Sequence, residues 1–251
     1  MGKGIYVATS GSIAQLRHME VLSNNLANVR TAGFKGDRVT FEEVIARATE
    51  RGNPQDAPAA PDGGEAAKHF AVARSSPPDM APGPLTRTDN PLDLAVTGNA
   101  MLQVQTERGV RLTRGGQLML GRDGAIRTSE GHLVLSQAGK GIVLPPDTLP
   151  EIDPTGAISA DGIELGQLGM AFVDPEGPMD KDEDGLFVPP QGRFQPSADA
   201  SVMQGHVEES NVSPVRMMLD LVEVQRLFSA LRQVISTSGE MDAQASRLAR
   251  G

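Results

Sequence analysis

Apolar residues recur at alternating spacings of three and four near both ends of the chain. At the N-terminal end one row is Ile5, Ser12, Met19 and Leu26, and a second is Ala8, Gln15, Leu22 and Val29. Members of each row are seven apart, and the rows are offset by three. Ser12 and Gln15 interrupt an otherwise apolar stripe of the kind that packs one helix on others. Ala32-Gly33 supplies a stop, with Gly33 suited to the left-handed position that follows a helix. At the C-terminal end Val224, Leu227, Leu231, Val234, Ser238, Met241, Ala245 and Leu248 form a stronger stripe. Ser213-Pro214 marks its start, with an N-cap hydroxyl before a proline whose missing N–H is harmless at the first helical position. Gly239 is a weak point, costing about 1 kcal/mol against Ala inside a helix.

Between the two helices the period changes to two. Leu92 to Val96, Met101 to Thr106, Val110 to Arg114, Gln117 to Leu120, Ala125 to Thr128 and His132 to Leu135 are short runs. Turn pairs such as Asp123-Gly124 and Gly115-Gly116 separate them. Ala157 to Ser159 and Ile163 to Val173 flank Asp161-Gly162 in the same way. This pattern predicts antiparallel strands. The fold class is therefore α+β: N- and C-terminal helices pairing as a coiled-coil-like domain around a central, mainly antiparallel β domain. Residues 1–35 and 209–251 would be helical, 36–84 an extended connector, and 85–208 the β domain. The connector rests on composition, because 52–84 holds four Gly, seven Pro and only Phe70, Val72 and Met80 as large apolar residues. Such a segment has no core of its own.

Composition removes several functions. The formal net charge is −9, which argues against a nucleic-acid binder, since that needs a basic footprint. There is no cysteine, hence no disulfide framework, thiolate metal site or Cys nucleophile. The longest apolar run of the first nine residues is four, too short for a signal-peptide core. No stretch approaches a membrane span. The four histidines show no ligand spacing, and no nucleophile elbow or phosphate loop is present. No enzyme, cofactor or small-molecule substrate is expected. One loop resembles the start of a calcium site: Asp180, Asp182 and Asp184 supply carboxylates at positions 1, 3 and 5, with Gly185 at 6. Gln191 replaces the bidentate Glu of position 12, and prolines flank the loop. It reads first as a solvated acidic turn, and a secreted calcium-binding β module is the rival class.

Ser23-Asn24-Asn25-Leu26-Ala27-Asn28 puts uncharged amides on a helix that would more naturally carry Glu and Lys. Such amides suit hydrogen bonding in a packed array without the desolvation cost of charge.

The run Ser23 to Lys35 resembles the N-terminal signature of bacterial flagellar rod and hook proteins, N-N-[IL]-A-N-x-x-T-x-G-[FY]-[KR]. Asn90 to Gly98 resembles that family's strand entering its β domain. Leu112-Thr113-Arg114-Gly115, with Asp123-Gly124 and Gly131, resembles its T-R-x-G…D-x-x-G element. Glu208-Glu209-Ser210-Asn211-Val212 resembles the E-x-S-N-V that opens its C-terminal helix. Asn99-Ala100-Met101-Leu102 departs from the family's aromatic run there. Length is most similar to that of proximal rod subunits of F type, with distal subunits of G type the close alternative. The resemblance implies a structural rod subunit that assembles into a helical, torque-transmitting tube with its own copies and other rod subunits. It implies a periplasmic basal-body location, no membrane insertion, and delivery by the type III flagellar export apparatus without a cleaved signal. Residues expected at subunit contacts are Ile5, Met19, Leu22 and Leu26 of the first stripe, and Asn24, Asn25, Asn28, Gly33 and Phe34 of the signature. From the other end come Ser210, Asn211 and Val212, with Val224, Leu227, Leu231, Val234 and Met241 of the second stripe.

Overall fold

The computed structural model describes residues 2–46, 68–146, 148–174, 179–182, 185–188 and 200–248. In chain order, helix α1 (Gly2–Ala27) precedes β1 (Arg38–Ala46) and β2 (Lys68–Ser76). Then follow β3 (Leu85–Arg87), β4 (Leu94–Thr97), β5 (Ala100–Thr106), β6 (Gly109–Thr113), β7 (Leu118–Leu120), β8 (Ile126–Thr128) and β9 (Leu133–Val134). The later strands are β10 (Glu151–Ile152), β11 (Ala157–Ala160), β12 (Ile163–Gln167), β13 (Met170–Phe172), β14 (Asp180–Lys181), β15 (Phe187–Val188), β16 (Ser201–Gln204) and β17 (His206–Glu208). Helix α2 (Pro214–Leu248) closes the chain, starting at the expected proline. Among the described residues no helix is long and apolar enough to cross a membrane.

Two compact units emerge. The first holds Met1–Asn24, Arg38–Ser76 and Val215–Gly251; the second holds Asn25–Asp37 and Pro77–Pro214. In the first unit the expected N-terminal stripe is the covered one. Ala8, Ser12 and Leu22 are buried, and Gln15 and Met19 half-buried. Buried Ser12 satisfies its hydroxyl by donating to the Ala8 carbonyl at 2.8 Å, the back-bond available to Ser one turn on. Gly11 lies against α2, where an added Cβ would sit 3.4 Å from Leu231 Cδ1. On α2, Met217, Leu221, Val224, Phe228, Leu231 and Ile235 are buried or half-buried, again at steps of three and four. The strands β1 and β2 form an antiparallel hairpin, Arg38 opposite Ser76 and Ala46 opposite Lys68. The His18 and Phe41 rings meet edge to face at 5.4 Å, joining hairpin and helix. Burial holds His18 below the usual histidine range, against the opposing charge of Asp220.

The second unit is antiparallel throughout. Its largest sheet runs β14-β15-β6-β5-β9-β8-β7, with β13 also paired to β5, and β10-β11-β12 form a smaller one. Alternation along β5 builds two cores from one strand. Leu102 and Val104 join Leu94, Val96, Ile126, Val134, Ile158 and Val202. Met101, from the opposite face, joins Leu112, Ala171, Val173, Met179 and Phe187. The unit is closed by its own ends: β4 pairs with β16, and β3 with β17.

The structure differs from the sequence reading in three places. The 36–84 connector carries the β1–β2 hairpin, because Val39, Phe41, Phe70 and Val72 lie on alternating strands rather than in plain coil. Gly52 to Ala67, the richest part in turn residues, lies outside the described residues. Helix α1 stops at Ala27, ahead of Gly33; a turn follows, in which the Thr31 N–H reaches the Asn28 carbonyl at 3.1 Å. The run Ile163 to Val173 is two strands, β12 and β13, rather than one.

Candidate assembly site

The two signature segments meet inside the second unit. Gly33 donates its N–H to the Glu208 carbonyl at 2.7 Å, and the Asn211 N–H reaches the Phe34 carbonyl at 3.3 Å. Gly33 has φ +70°, and a Cβ there would lie 2.3 Å from the Arg114 carbonyl carbon. Both the left-handed backbone and the close approach require glycine.

Two asparagine amides then hold the next residues. Asn25, 4% exposed, donates from Nδ2 to the Asp37 carbonyl at 2.8 Å and accepts the Asp37 N–H on Oδ1 at 2.9 Å. Asn211 accepts the Gly36 N–H on Oδ1 at 2.9 Å and donates to the Asp79 and Ala81 carbonyls at 2.7 and 3.1 Å. Thus the amide of Asn25, expected to face another subunit, is satisfied within the chain. A buried amide needs its partners wherever they stand.

Beneath these bonds lies an ionic triad that sequence reasoning did not single out. Lys35 Nζ donates to Glu208 Oε1 at 2.6 Å and Arg114 Nε to Oε2 at 2.6 Å; the three side chains are 2%, 1% and 8% exposed for Lys35, Glu208 and Arg114. The Gly83 N–H is the carboxylate's third donor, bonding Oε1 at 2.8 Å. Lys35 also donates to the Ala81 carbonyl at 2.8 Å, and Arg114 Nη1 to the carbonyls of Gly98, at 2.8 Å, and Ala100. Burial alone pushes Glu208 up, but the hydrogen bonds from Lys35 and Arg114 outweigh it and hold the carboxyl below its ordinary value. Burial lowers Lys35 as well, only partly offset by Glu208, because two cations share one carboxylate. A second pair flanks the triad: Lys181 reaches Asp37 Oδ1 at 2.7 Å and sits 4.5 Å over the Phe34 ring. The available signal was charge within the motifs: Lys35, Arg114 and Glu208 each belong to one of the quoted signatures.

This arrangement holds backbone together; both Glu208 oxygens are already accepting, so it offers no base. The acidic loop is likewise committed. Asp182 Oδ2 accepts from Arg111 Nε at 3.1 Å and Oδ1 from the Leu186 N–H at 3.0 Å. Asp180 and Lys181 form one strand of a hairpin with Phe187 and Val188. Asp184 lies outside the described residues. Among the described residues no three His or acidic side chains gather as a metal site.

The remaining expected positions divide by burial. Ser210 is buried and accepts the Val212 N–H at 3.2 Å. Val212 packs against Gly36, where a Cβ would approach Val212 Cγ2 to 3.0 Å. Asn28 accepts from the Thr31 hydroxyl at 3.2 Å, while Asn24 is exposed and Leu26 half-buried. Ile5 lies outside the described side chains. On α2 the stripe splits. Val224 is buried and Leu231 half-buried, whereas Leu227, Val234, Met241 and Leu248 are 47%, 52%, 56% and 85% exposed. These four are seven apart, so they form one continuous apolar row on the helix surface.

Comparison with known proteins falls on the same segments. The family described as flagella basal body rod protein matches residues 5–35, and the flagellar basal body rod FlgEFG protein C-terminal family matches residues 203–248. The chain is 30% identical to the flagellar basal-body rod protein FlgF of Caulobacter vibrioides, over 98% of this chain and 97% of that one. It is 31% identical to FlgF of Mesorhizobium japonicum, over 96% of each chain. With the flagellar basal-body rod protein FlgG of Caulobacter vibrioides it shares 30% identity, over 98% of this chain and 99% of that one.

Proposed function

Since the chain belongs to the flagellar basal-body rod protein family, we propose that it is a proximal, F-type rod subunit that assembles with its own copies and other rod proteins into a helical tube. Its role is structural. The observation that carries this reading is the exposed row Leu227, Val234, Met241 and Leu248 on α2. A continuous row of large apolar side chains in water is a mark of an unfilled contact. Helix α1 adds exposed Val7, Ile13 and Leu16. Contacts between such unlike faces do not close on themselves and so extend into a filament.

Alignment length supports the F type over the G type. The match to Caulobacter FlgF spans 247 positions, whereas that to FlgG spans 267, more than the 251 residues available here. On this reading the tube transmits torque across the periplasm, and the subunit reaches it through the type III flagellar export apparatus.

Replacing Leu227 and Val234 by Glu tests the assembly surface. Cells carrying the double variant should lose motility, while the purified variant keeps the wild-type melting of its β unit. Normal swimming with the variant present at wild-type level would overturn the proposal.

A further inference from the structure

The acceptors that hold the N-terminal signature come from the far end of the chain. The Gly33 N–H is bonded to Glu208 and the Gly36 N–H to Asn211. Lys35 is neutralised by Glu208, 173 residues away. The strands that close the unit follow suit, since β3 pairs with β17 and β4 with β16. By contrast β5 pairs with β6 through a two-residue turn, Leu102 opposite Thr113 and Thr106 opposite Gly109.

We infer that residues 25–37 and 206–211 form a completion lock, which fixes the roots of both helices only after the C-terminal segment has arrived. Closing a long loop costs more entropy than closing a short one, and contacts distant in sequence are rewarded late. Until Glu208 arrives, burying Lys35 and Arg114 leaves two cations without their carboxylate, which is strongly unfavourable. In a partial chain the segment 25–37 therefore lacks the Glu208 and Asn211 groups that accept from Gly33, Lys35 and Gly36. A chain emerging N-terminus first, from a ribosome or from any channel, keeps its N-terminal signature unfixed until residue 211 is free. Asn25 and Asn211 then grip Gly36 and Asp37 together, so a copy offers both helix roots or neither. The lock accounts for the combination of amides, glycines and one buried carboxylate in these segments.

Pulse-labelling hydrogen exchange during refolding of the full chain tests this order. Peptides covering β5 and β6 should gain protection first. Peptides covering 33–37 and 206–211 should gain it later, and at one shared rate. Asn211→Ala should speed loss of the 33–37 protection at least tenfold while leaving the β5–β6 rate within about twofold. Glu208→Gln should do the same more strongly; if it does not fold, wild type and Asn211→Ala decide the matter. Protection of 33–37 before or together with β5–β6, or an Asn211→Ala chain that slows β5–β6 formation instead, would overturn the inference.

Discussion

Asn25 and Asn211, one at the root of each helix, grip adjacent backbone residues: Asn25 holds both polar groups of Asp37, and Asn211 holds the N–H of Gly36. Asn211 thus binds the chain's two ends to each other, while Asn25 fixes the fold of the N-terminal segment it grips. Replacing Asn25 by Ala leaves the Asp37 N–H and C=O without their partner in a part-buried site, at a cost of about 1–3 kcal/mol. Asn211→Ala should cost a similar amount. Because the gripped residues are neighbours, the double variant should deviate from additivity by more than about 0.5 kcal/mol. Urea unfolding of the four proteins measures all three quantities.

The triad sets the response to acid. Glu208 is held below its ordinary value of 4.5 in the folded chain, so the unfolded chain takes up the proton more readily. Its contribution to stability is complete above the unfolded value and is lost as pH falls through the folded one. Wild-type stability should therefore fall as pH drops below 4.5, and the profile of Glu208→Gln should be flatter there. At neutral pH the variant should be less stable by about 3–5 kcal/mol, the cost of removing one member of a buried ion pair. Thermal melts across pH 3–7 check both expectations.

Two glycines should respond to Ala in opposite directions. At Gly33 the left-handed backbone and the 2.3 Å approach to Arg114 forbid a Cβ, so Gly33→Ala should destabilise by more than about 1 kcal/mol. At Gly239 an added Cβ meets nothing within 4 Å, and Gly239→Ala should stabilise α2 by about 1 kcal/mol. The second change should appear as a gain in helical circular dichroism at low urea, without a shift in β-unit unfolding.

Hydrogen exchange of the dilute, unassembled protein should show its boundary at the helix roots. Helical amides beyond the lock, within 2–24 and 215–248, should exchange quickly, because both helices leave large apolar side chains exposed. Those of 33–37 and 206–211 should exchange as slowly as the β core. Helical amides of 215–248 that exchange as slowly as the β core would contradict this division.

Much of the architecture was legible because local chemistry marks it. Asp123-Gly124 and Glu130-Gly131 delimit β8, and Ser213-Pro214 fixes the start of α2. Strands of two or three residues, such as β10, β14 and β17, carry no period to read, and only their partners define them. The β1–β2 hairpin was hidden by the Pro and Gly between its strands. The lock was half-legible. Asn25, Gly33 and Asn211 stood out by residue type, but the meeting of Lys35 with Glu208 depends on tertiary pairing across 173 residues, which no local pattern encodes. On α2 the heptad spacing identified the apolar stripe, but not which half of it the chain covers for itself.

The most direct test of a structural rod role is electron microscopy of basal bodies from a strain lacking this gene, with and without the gene restored. The account predicts non-motile cells whose basal bodies stop before the rod is complete, and full-length rods on restoration. Complete rods and normal swimming in the deletion strain would contradict it.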